Sequence, residues 1–167
     1  GRSKSGQWRE QTEQTVDHFF DVTDMSDNEI ADLARGQGLD VAVDLKGYTK
    51  HTRSQIFQYR LAPIQVNYLG YPGSMGANFI NYIVADTIVI PDEQREFYSE
   101  KVIYLPHSYQ PNDNWREIKQ TETSRTDSGL PENAFVFCCF NSKFEIKHNE
   151  FDIWMRGFSN VEGSVLW

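Results

Sequence analysis

Two short apolar runs of strand character, Leu39-Asp40-Val41-Ala42-Val43 and Ile64-Gln65-Val66-Asn67-Tyr68, each break into glycine and polar residues. The first continues as Asp44-Leu45-Lys46-Gly47-Tyr48-Thr49-Lys50, the second as Leu69-Gly70-Tyr71-Pro72-Gly73-Ser74-Met75-Gly76. The two breaks lie one βαβ unit apart. In an open parallel sheet, the loops at the carboxyl ends of the strands form the rim where ligands sit. These two loops are therefore expected to share one rim, with the rest of the chain arranged around it.

The remaining chain fits that frame. Gln7 to Thr15 reads as a polar helix, and Val16 to Val22 as a strand. Ser26 with Glu29 is a capping-box pattern, and Ile30, Leu33 and Ala34 give the helix Asp27 to Arg35 an apolar face. Gly36 and Gly38 end it. Thr52 to Arg60 is a weaker helix, with Ile56 and Phe57 inward, stopped by Pro63. Glu93 to Ser99 suggests a helical turn, and Lys101 to Leu105 a strand ending at Pro106. Ala134 to Phe140 reads as a buried strand, Phe151 to Phe158 as an amphipathic helix, and the residues after Gly163 as a last strand. Strand and helix alternate, which predicts an α/β parallel sheet. The polar stretch 114–130 reads as a linker, dividing 1–113 from 131–167.

Hydrophobic residues make up 39% of the chain, enough to build a core, which argues against a wholly disordered chain. The net charge of −8 argues against a nucleic-acid backbone binder. No run approaches the roughly 18 apolar residues of a membrane span. The N-terminus is polar and shows no signal peptide. Cys138 and Cys139 are adjacent, so a mutual disulfide would be strained, and the expectation is two buried thiols in a reducing compartment. Residue 1 is not Met, and residue 167 stops the apolar run Ser164-Val165-Leu166-Trp167, which suggests a piece of a longer protein.

Several residues could carry chemistry. Gly70-x-x-Gly73-x-x-Gly76 after a strand either lets backbone N–H groups approach an anion or makes a tight turn. It matches neither the dinucleotide fingerprint nor a P-loop. Tyr48, Thr49, Lys50 and Arg53 offer hydroxyls and two cations at a strand end, or else a solvated loop whose cations pair with acids. His107 directly follows a strand and so belongs to the same rim, while His18, His51 and His148 read as structural or exposed. No histidine, cysteine and carboxylate spacing suggests zinc, and no serine nucleophile elbow is present.

The stretch Asp44-Leu45-Lys46-Gly47-Tyr48-Thr49, with Arg53, Leu61-Ala62-Pro63-Ile64-Gln65-Val66-Asn67 and Leu69-Gly70-Tyr71-Pro72-Gly73-Ser74-Met75-Gly76-Ala77, resembles the catalytic region of the O-linked N-acetylglucosamine transferases and their Spindly-like relatives. Tyr82-Ile83-Val84-Ala85-Asp86, Tyr98-Ser99-Glu100-Lys101, Leu105 to Asp113, Gly129-Leu130-Pro131 and Phe137-Cys138-Cys139-Phe140-Asn141 extend the resemblance from about Val16 to Trp167.

The resemblance implies a GT-B architecture of two Rossmann-like lobes with the active site in the cleft. Residues 1–113 would be the end of the first lobe, 114–130 a linker, and 131–167 the start of the second, nucleotide-binding lobe. It implies a cytoplasmic enzyme transferring N-acetylglucosamine from UDP-GlcNAc to Ser/Thr hydroxyls, with no metal or other cofactor. The short linker is like that of the bacterial members. Its partners would be a protein or peptide acceptor and the sugar nucleotide, with no nucleic acid or membrane. A homo-oligomer could form through the second-lobe remnant.

Tyr48, Thr49, Lys50, Arg53, Leu69, Gly70, Pro72 and Gly73 would border the donor sugar and acceptor, and Asn141, Ser142 and Glu145 the nucleotide. No catalytic residue is expected within the chain, because the histidine segment that supplies base candidates in the family lies upstream. The chain also departs from the family: where a lysine ordinarily meets the donor diphosphate, it carries Glu145, with Lys143 and Lys147 nearby. Two rivals stay open. One is a Spindly-like enzyme using another sugar; the other is a catalytically dead relative kept for protein binding.

Overall fold

Sequence order and spatial order coincide in the main sheet. The computed structural model describes residues 6–117, 123–142 and 144–167, and divides into two units, Gly1–Asp113 and Asn114–Trp167. In the first unit, helices α1 (Gln7–Thr15) and α2 (Asp27–Gly36) precede strands β1 (Val41–Asp44), β2 (Ile64–Asn67), β3 (Tyr82–Ala85) and β4 (Lys101–Tyr104). The sheet runs β1-β2-β3-β4 and every pairing is parallel. Short 3₁₀ helices, Ser54–Tyr59 and Asp92–Phe97, occupy the β1–β2 and β3–β4 connections.

The α2 helix starts where the capping box places it. The Ser26 hydroxyl meets the Glu29 N–H, and Glu29 Oε2 accepts from the Ser26 N–H at 2.7 Å. The Ser26 hydroxyl, which also donates to Glu29 Oε2 at 2.6 Å, and then the Ser26 N–H hold the Glu29 carboxyl below its ordinary range. The second helix candidate is a 3₁₀ turn instead, with Ser54 and Phe57 buried three residues apart on one side.

Register explains the core. Ala42 lies beside Gln65, Asp44 beside Asn67 and Asn67 beside Ile83, so these side chains share one face. On that face Ala31 from α2 packs with Ala42, Phe57, Leu61, Met75 and Ile80, and Ile83, Ala85 and Ile90 form a second cluster with Val102 and Tyr104. Successive right-handed crossovers in one direction put their connections on one side of a parallel sheet. The other side stays open: Leu39, Val41, Val43 and Leu45 are 39, 46, 46 and 59% exposed, with Ile64 and Ile103 beyond them.

The segment 16–22 is not a strand. It has no pairing partner on the β1 edge. Val16, Phe20 and Val22 instead line an apolar groove of about 520 Å³ with Ile30, Leu33 and Leu39. Asp21 closes a turn by accepting from the Thr23 hydroxyl and N–H, and Arg9 reaches it at 2.9 Å.

In the second unit, β5 (Val136–Phe137) and β6 (Val165–Leu166) form a two-stranded parallel sheet with α3 (His148–Ser159) between them in sequence. The expected buried strand Ala134 to Phe140 is shorter and only half-buried. Phe135 and Phe140 are exposed, as is Cys138, while Cys139 is half-buried, so the buried-thiol expectation fails. Among the described residues of this unit none is fully buried. A pair of two-residue strands cannot cover both faces of an apolar run. Its aromatics gather in edge-to-face pairs, Phe135 with Phe137 at 4.8 Å and Phe140 with Trp167 at 5.2 Å.

Candidate functional site

Because β1 to β4 are all parallel, the loops after β1, β2 and β4 leave the same end of the sheet. Hydrogen bonds join them. The Tyr48 hydroxyl donates to the Met75 carbonyl at 2.9 Å, and the Tyr68 hydroxyl to the Tyr109 carbonyl at 2.8 Å. The Tyr109 N–H donates to Asp86 Oδ2 at 2.8 Å. Asp86, at the end of β3, also accepts from the Ile88 and Val89 N–H groups. The bonds from Val89 and Tyr109, the two largest causes, hold its carboxyl below the ordinary range against the opposing effect of burial.

Asp44 shapes the first loop. Its buried carboxylate accepts from the Lys46 and Gly47 N–H groups at 2.9 and 3.0 Å, and from the Ser54 hydroxyl. The chain therefore folds back over the strand end. Gly47 sits at φ 58°, where a side chain is strained, and a Cβ there would also lie 2.5 Å from Tyr71 Cβ.

The glycine run resolves toward tight packing. A Cβ on Gly70 would lie 2.5 Å from the Leu45 carbonyl oxygen, and one on Gly73 2.8 Å from the Tyr71 ring. These two glycines let one rim loop lie against another and against itself. Only Gly76 of the three has open space around it. Asn67 fastens the same loop from the sheet: its Nδ2 donates to the Tyr71 and Gly73 carbonyls at 2.9 and 3.3 Å. Its Oδ1 is the only buried side-chain polar atom without a partner among the described residues. It faces Gly47, 3.2 Å from where a Cβ would stand.

Two of the three loops leave the sheet by the same strained turn. Leu69 has φ 75° and lies inside a Gly70 N–H to Tyr68 carbonyl bond of 3.1 Å. His107 has φ 72° inside a Ser108 N–H to Pro106 carbonyl bond of 2.9 Å. Both are γ-turns of the rare positive-φ kind. Strain of this sort at non-glycine residues concentrates at functional sites.

The rim gathers most of the residues singled out in the sequence. Tyr48 is 52% exposed, with its ring 5.7 Å from that of Tyr71. Thr49 is half-buried, and its hydroxyl donates to the Lys46 carbonyl at 3.3 Å. Lys50 is exposed and has no ion-pair partner among the described residues. Leu69, Gly70, Pro72 and Gly73 lie in the adjoining loop.

Arg53 stands apart. Its guanidinium is held by Asp27, by the Met25 carbonyl at 2.8 Å and by the Val22 carbonyl at 3.3 Å. Of the two cations, Arg53 thus anchors the segment before α2, and Lys50 alone remains available to an anion.

In the second unit Asn141 lies on the lip of a groove of about 560 Å³, lined by Phe137, Cys139, Phe140, Trp154 and Phe158. Ser142 and Glu145 are exposed and sit in a turn, with the Glu145 N–H on the Ser142 carbonyl at 2.8 Å. They do not line the groove. Lys147 caps the start of α3, where Glu150 accepts from its N–H at 2.9 Å. Lys143 lies outside the described residues. Among the described residues no group of His, Cys, Asp or Glu is arranged to hold a metal ion.

The family model described as glycosyl transferase family 41 matches residues 2–122 and 115–167. The chain belongs to this family. It is 37% identical over 96% of its length to a protein of Arabidopsis thaliana named as a probable UDP-N-acetylglucosamine–peptide N-acetylglucosaminyltransferase SEC. It is 25% identical over 98% of its length to a SPINDLY protein of Eustoma exaltatum given the same kind of name. The family 41 chain spans 17% and 18% of those two proteins. A solved mutant O-GlcNAc transferase of Thermobaculum terrenum matches 98% of the chain with a TM-score of 0.81 at 25% identity, using 30% of its own chain. The α/β fold expected from the alternating pattern is therefore that of a glycosyltransferase of the GT-B kind.

The sequence reading assigned no role to Tyr68, Asp86, Tyr98 or Glu100, which hold the rim together. Asp86, Tyr98 and Glu100 belong to stretches that carry the resemblance, and that was the available signal. Their partners lie 23 to 26 residues away, and nothing local announces such contacts.

Proposed function

We propose that the chain forms part of the catalytic region of a protein O-GlcNAc transferase, moving N-acetylglucosamine from UDP-GlcNAc to Ser or Thr hydroxyls of a protein acceptor. The observation that carries this reading is the 37% identity to the Arabidopsis transferase across nearly the whole chain, over a rim that brings Tyr48, Thr49, Lys50, Leu69, Gly70, Pro72 and Gly73 together. On this reading the rim borders the donor sugar and the acceptor. Lys50 supplies positive charge near the departing diphosphate, the kind of stabilisation phosphate leaving groups require. Asn141, Ser142 and Glu145 border the nucleotide. The transfer is metal-free and takes place in the cytoplasm, and the base comes from residues outside this chain.

The test is sugar transfer. The 167-residue chain with labelled UDP-GlcNAc and a Ser/Thr peptide is expected to show no turnover. A chimera of the Arabidopsis transferase with this chain in place of its matching segment is expected to glycosylate the peptide. A folded chimera that uses only another sugar nucleotide, or none, overturns the reading.

A further inference from the structure

The segment Tyr98-Ser99-Glu100 carries part of the resemblance and fastens the rim loop 70–76. It stands just before β4. Lys101, the first residue of β4, lies on the open face, so alternation places Glu100 on the covered face, under the loop 70–76. Glu100 is buried, 4% exposed. One carboxylate oxygen accepts from the Met75 N–H at 2.7 Å, and the other from the Ser74 hydroxyl at 2.8 Å. The Ser99 hydroxyl donates to the same oxygen at 3.2 Å, and the Tyr98 hydroxyl donates to the Pro72 carbonyl at 3.1 Å. Three consecutive residues thus grip three positions of the rim loop.

Met75 is the hinge of the arrangement. Its N–H is held by Glu100, and its carbonyl receives the Tyr48 hydroxyl at 2.9 Å from the neighbouring loop. Charge-assisted bonds from a buried carboxylate to a backbone N–H are short and strong. That N–H and the Met75 carbonyl lie in successive peptide planes joined at Cα. With the Met75 side chain also buried in the core, 3% exposed, holding the N–H helps set where the carbonyl stands and so where the Tyr48 proton goes. With its proton on Met75, the phenol oxygen turns its lone pairs outward and offers a ligand an acceptor and no donor.

We propose that Glu100 is a positioning residue for Tyr48, acting through the backbone of the buried Met75 so that the Tyr48 oxygen accepts a hydrogen bond from a hydroxyl or amide N–H of the sugar. The identity of the ligand rests on the transferase reading; the relay from Glu100 to Tyr48 does not. The relay makes one demand that simple structural support does not: removing Glu100 must alter Tyr48 in the same way as removing the Met75 contact.

The experiment uses the 167-residue chain with Glu100→Gln, Glu100→Ala, Tyr48→Phe and the double variant Tyr48→Phe/Glu100→Ala. Nuclear magnetic resonance reads the exchange protection of the Met75 amide and the Tyr48 Cζ shift. Glu100→Ala is expected to lower Met75 protection about tenfold or more, by loss of a buried charge-assisted bond. It should also move the Tyr48 shift toward that of a solvated tyrosine. Glu100→Gln, which keeps an acceptor for Met75, should restore both. An unchanged Tyr48 signal in a folded Glu100→Ala chain overturns the relay, as does failure of Glu100→Gln to restore it.

Titration with UDP-GlcNAc provides the second readout. The losses in affinity from Tyr48→Phe and Glu100→Ala are expected to be non-additive, the double variant binding no worse than the poorer single one. Additive losses overturn the relay. Absence of any response in the wild-type rim overturns the sugar reading, while the Met75 and Tyr48 signals still decide the relay. Should Glu100→Ala fail to fold, Ser74→Ala removes one of the two loop contacts and is expected to give a smaller shift of the same sign; no shift overturns the proposal.

Discussion

The space where Gly70 lacks a side chain is filled by the Leu45 carbonyl, 2.5 Å from the position a Cβ would take. The glycine is thus a condition for two rim loops to touch. Gly70→Ala is expected to force the loops apart and cost about 1–3 kcal/mol, the usual range for overpacking. Gly76→Ala meets nothing but strains a φ of 57°, and should cost about 1 kcal/mol. Urea denaturation of the two variants measures the difference; equal losses would mean that the Leu45 contact is soft.

The γ-turn at His107 predicts a reversal of the ordinary order of substitutions. At most positions alanine is more stable than glycine, because glycine loses more backbone entropy on folding. At φ 72° alanine keeps the strain and glycine releases it. His107→Gly is therefore expected to be about 1 kcal/mol more stable than His107→Ala. Thermal melts of the two variants check this, and alanine proving the more stable would show the turn to be unstrained.

Asp86 makes the third rim loop sensitive to acid. Its carboxyl is held below the ordinary value of 3.8, chiefly by the Val89 and Tyr109 N–H groups. A depressed folded value means that the stabilisation is complete above 3.8 and is lost as the pH falls through the lower folded value. Exchange protection of the Tyr109 amide, corrected for intrinsic rates, is expected to decline over that acid range. Asp86→Asn should remove the dependence, and a persistent decline in that variant would place the titrating group elsewhere.

On the proposed transferase reading, Glu145 would reverse the charge of the residue that meets the donor diphosphate. It is exposed, so solvent screens it, and the effect on binding should be a fraction of the roughly 4 kcal/mol between unit charges ~4 Å apart at intermediate dielectric. Glu145→Lys is expected to tighten UDP binding about three- to tenfold by calorimetry. If that change does nothing while Lys147→Ala abolishes binding, the lysine at the α3 cap has taken over the contact.

What could be read in advance was whatever is written locally. The Ser26–Glu29 pair announced α2, and the strand-then-glycine pattern placed three loops at one end of a parallel sheet. Local apolar content misled at 16–22, because a strand requires a neighbour and β1 offers none there. It misled again at Ala134 to Phe140, where burial depends on what covers the run. The glycine run was ambiguous because a missing side chain does not say what fills its place. Arg53 read either as a cation for a ligand or as one paired with an acid, and only its distant partner Asp27 decides for the second. Glu100 was quoted as part of a motif, yet its contact with Met75 spans 25 residues.

The strand order β1-β2-β3-β4 also bears on how the chain is made. During synthesis each new strand finds its partner already present and needs only to add to the outer edge of a growing ribbon. None of these four strands must be wedged between two earlier ones of the four. Loop closures stay short, which favours rapid assembly, and the sheet can lengthen as the ribosome delivers it. The rim closes last, when Glu100 captures the Met75 amide laid down 25 residues before and Tyr109 then joins Tyr68 and Asp86.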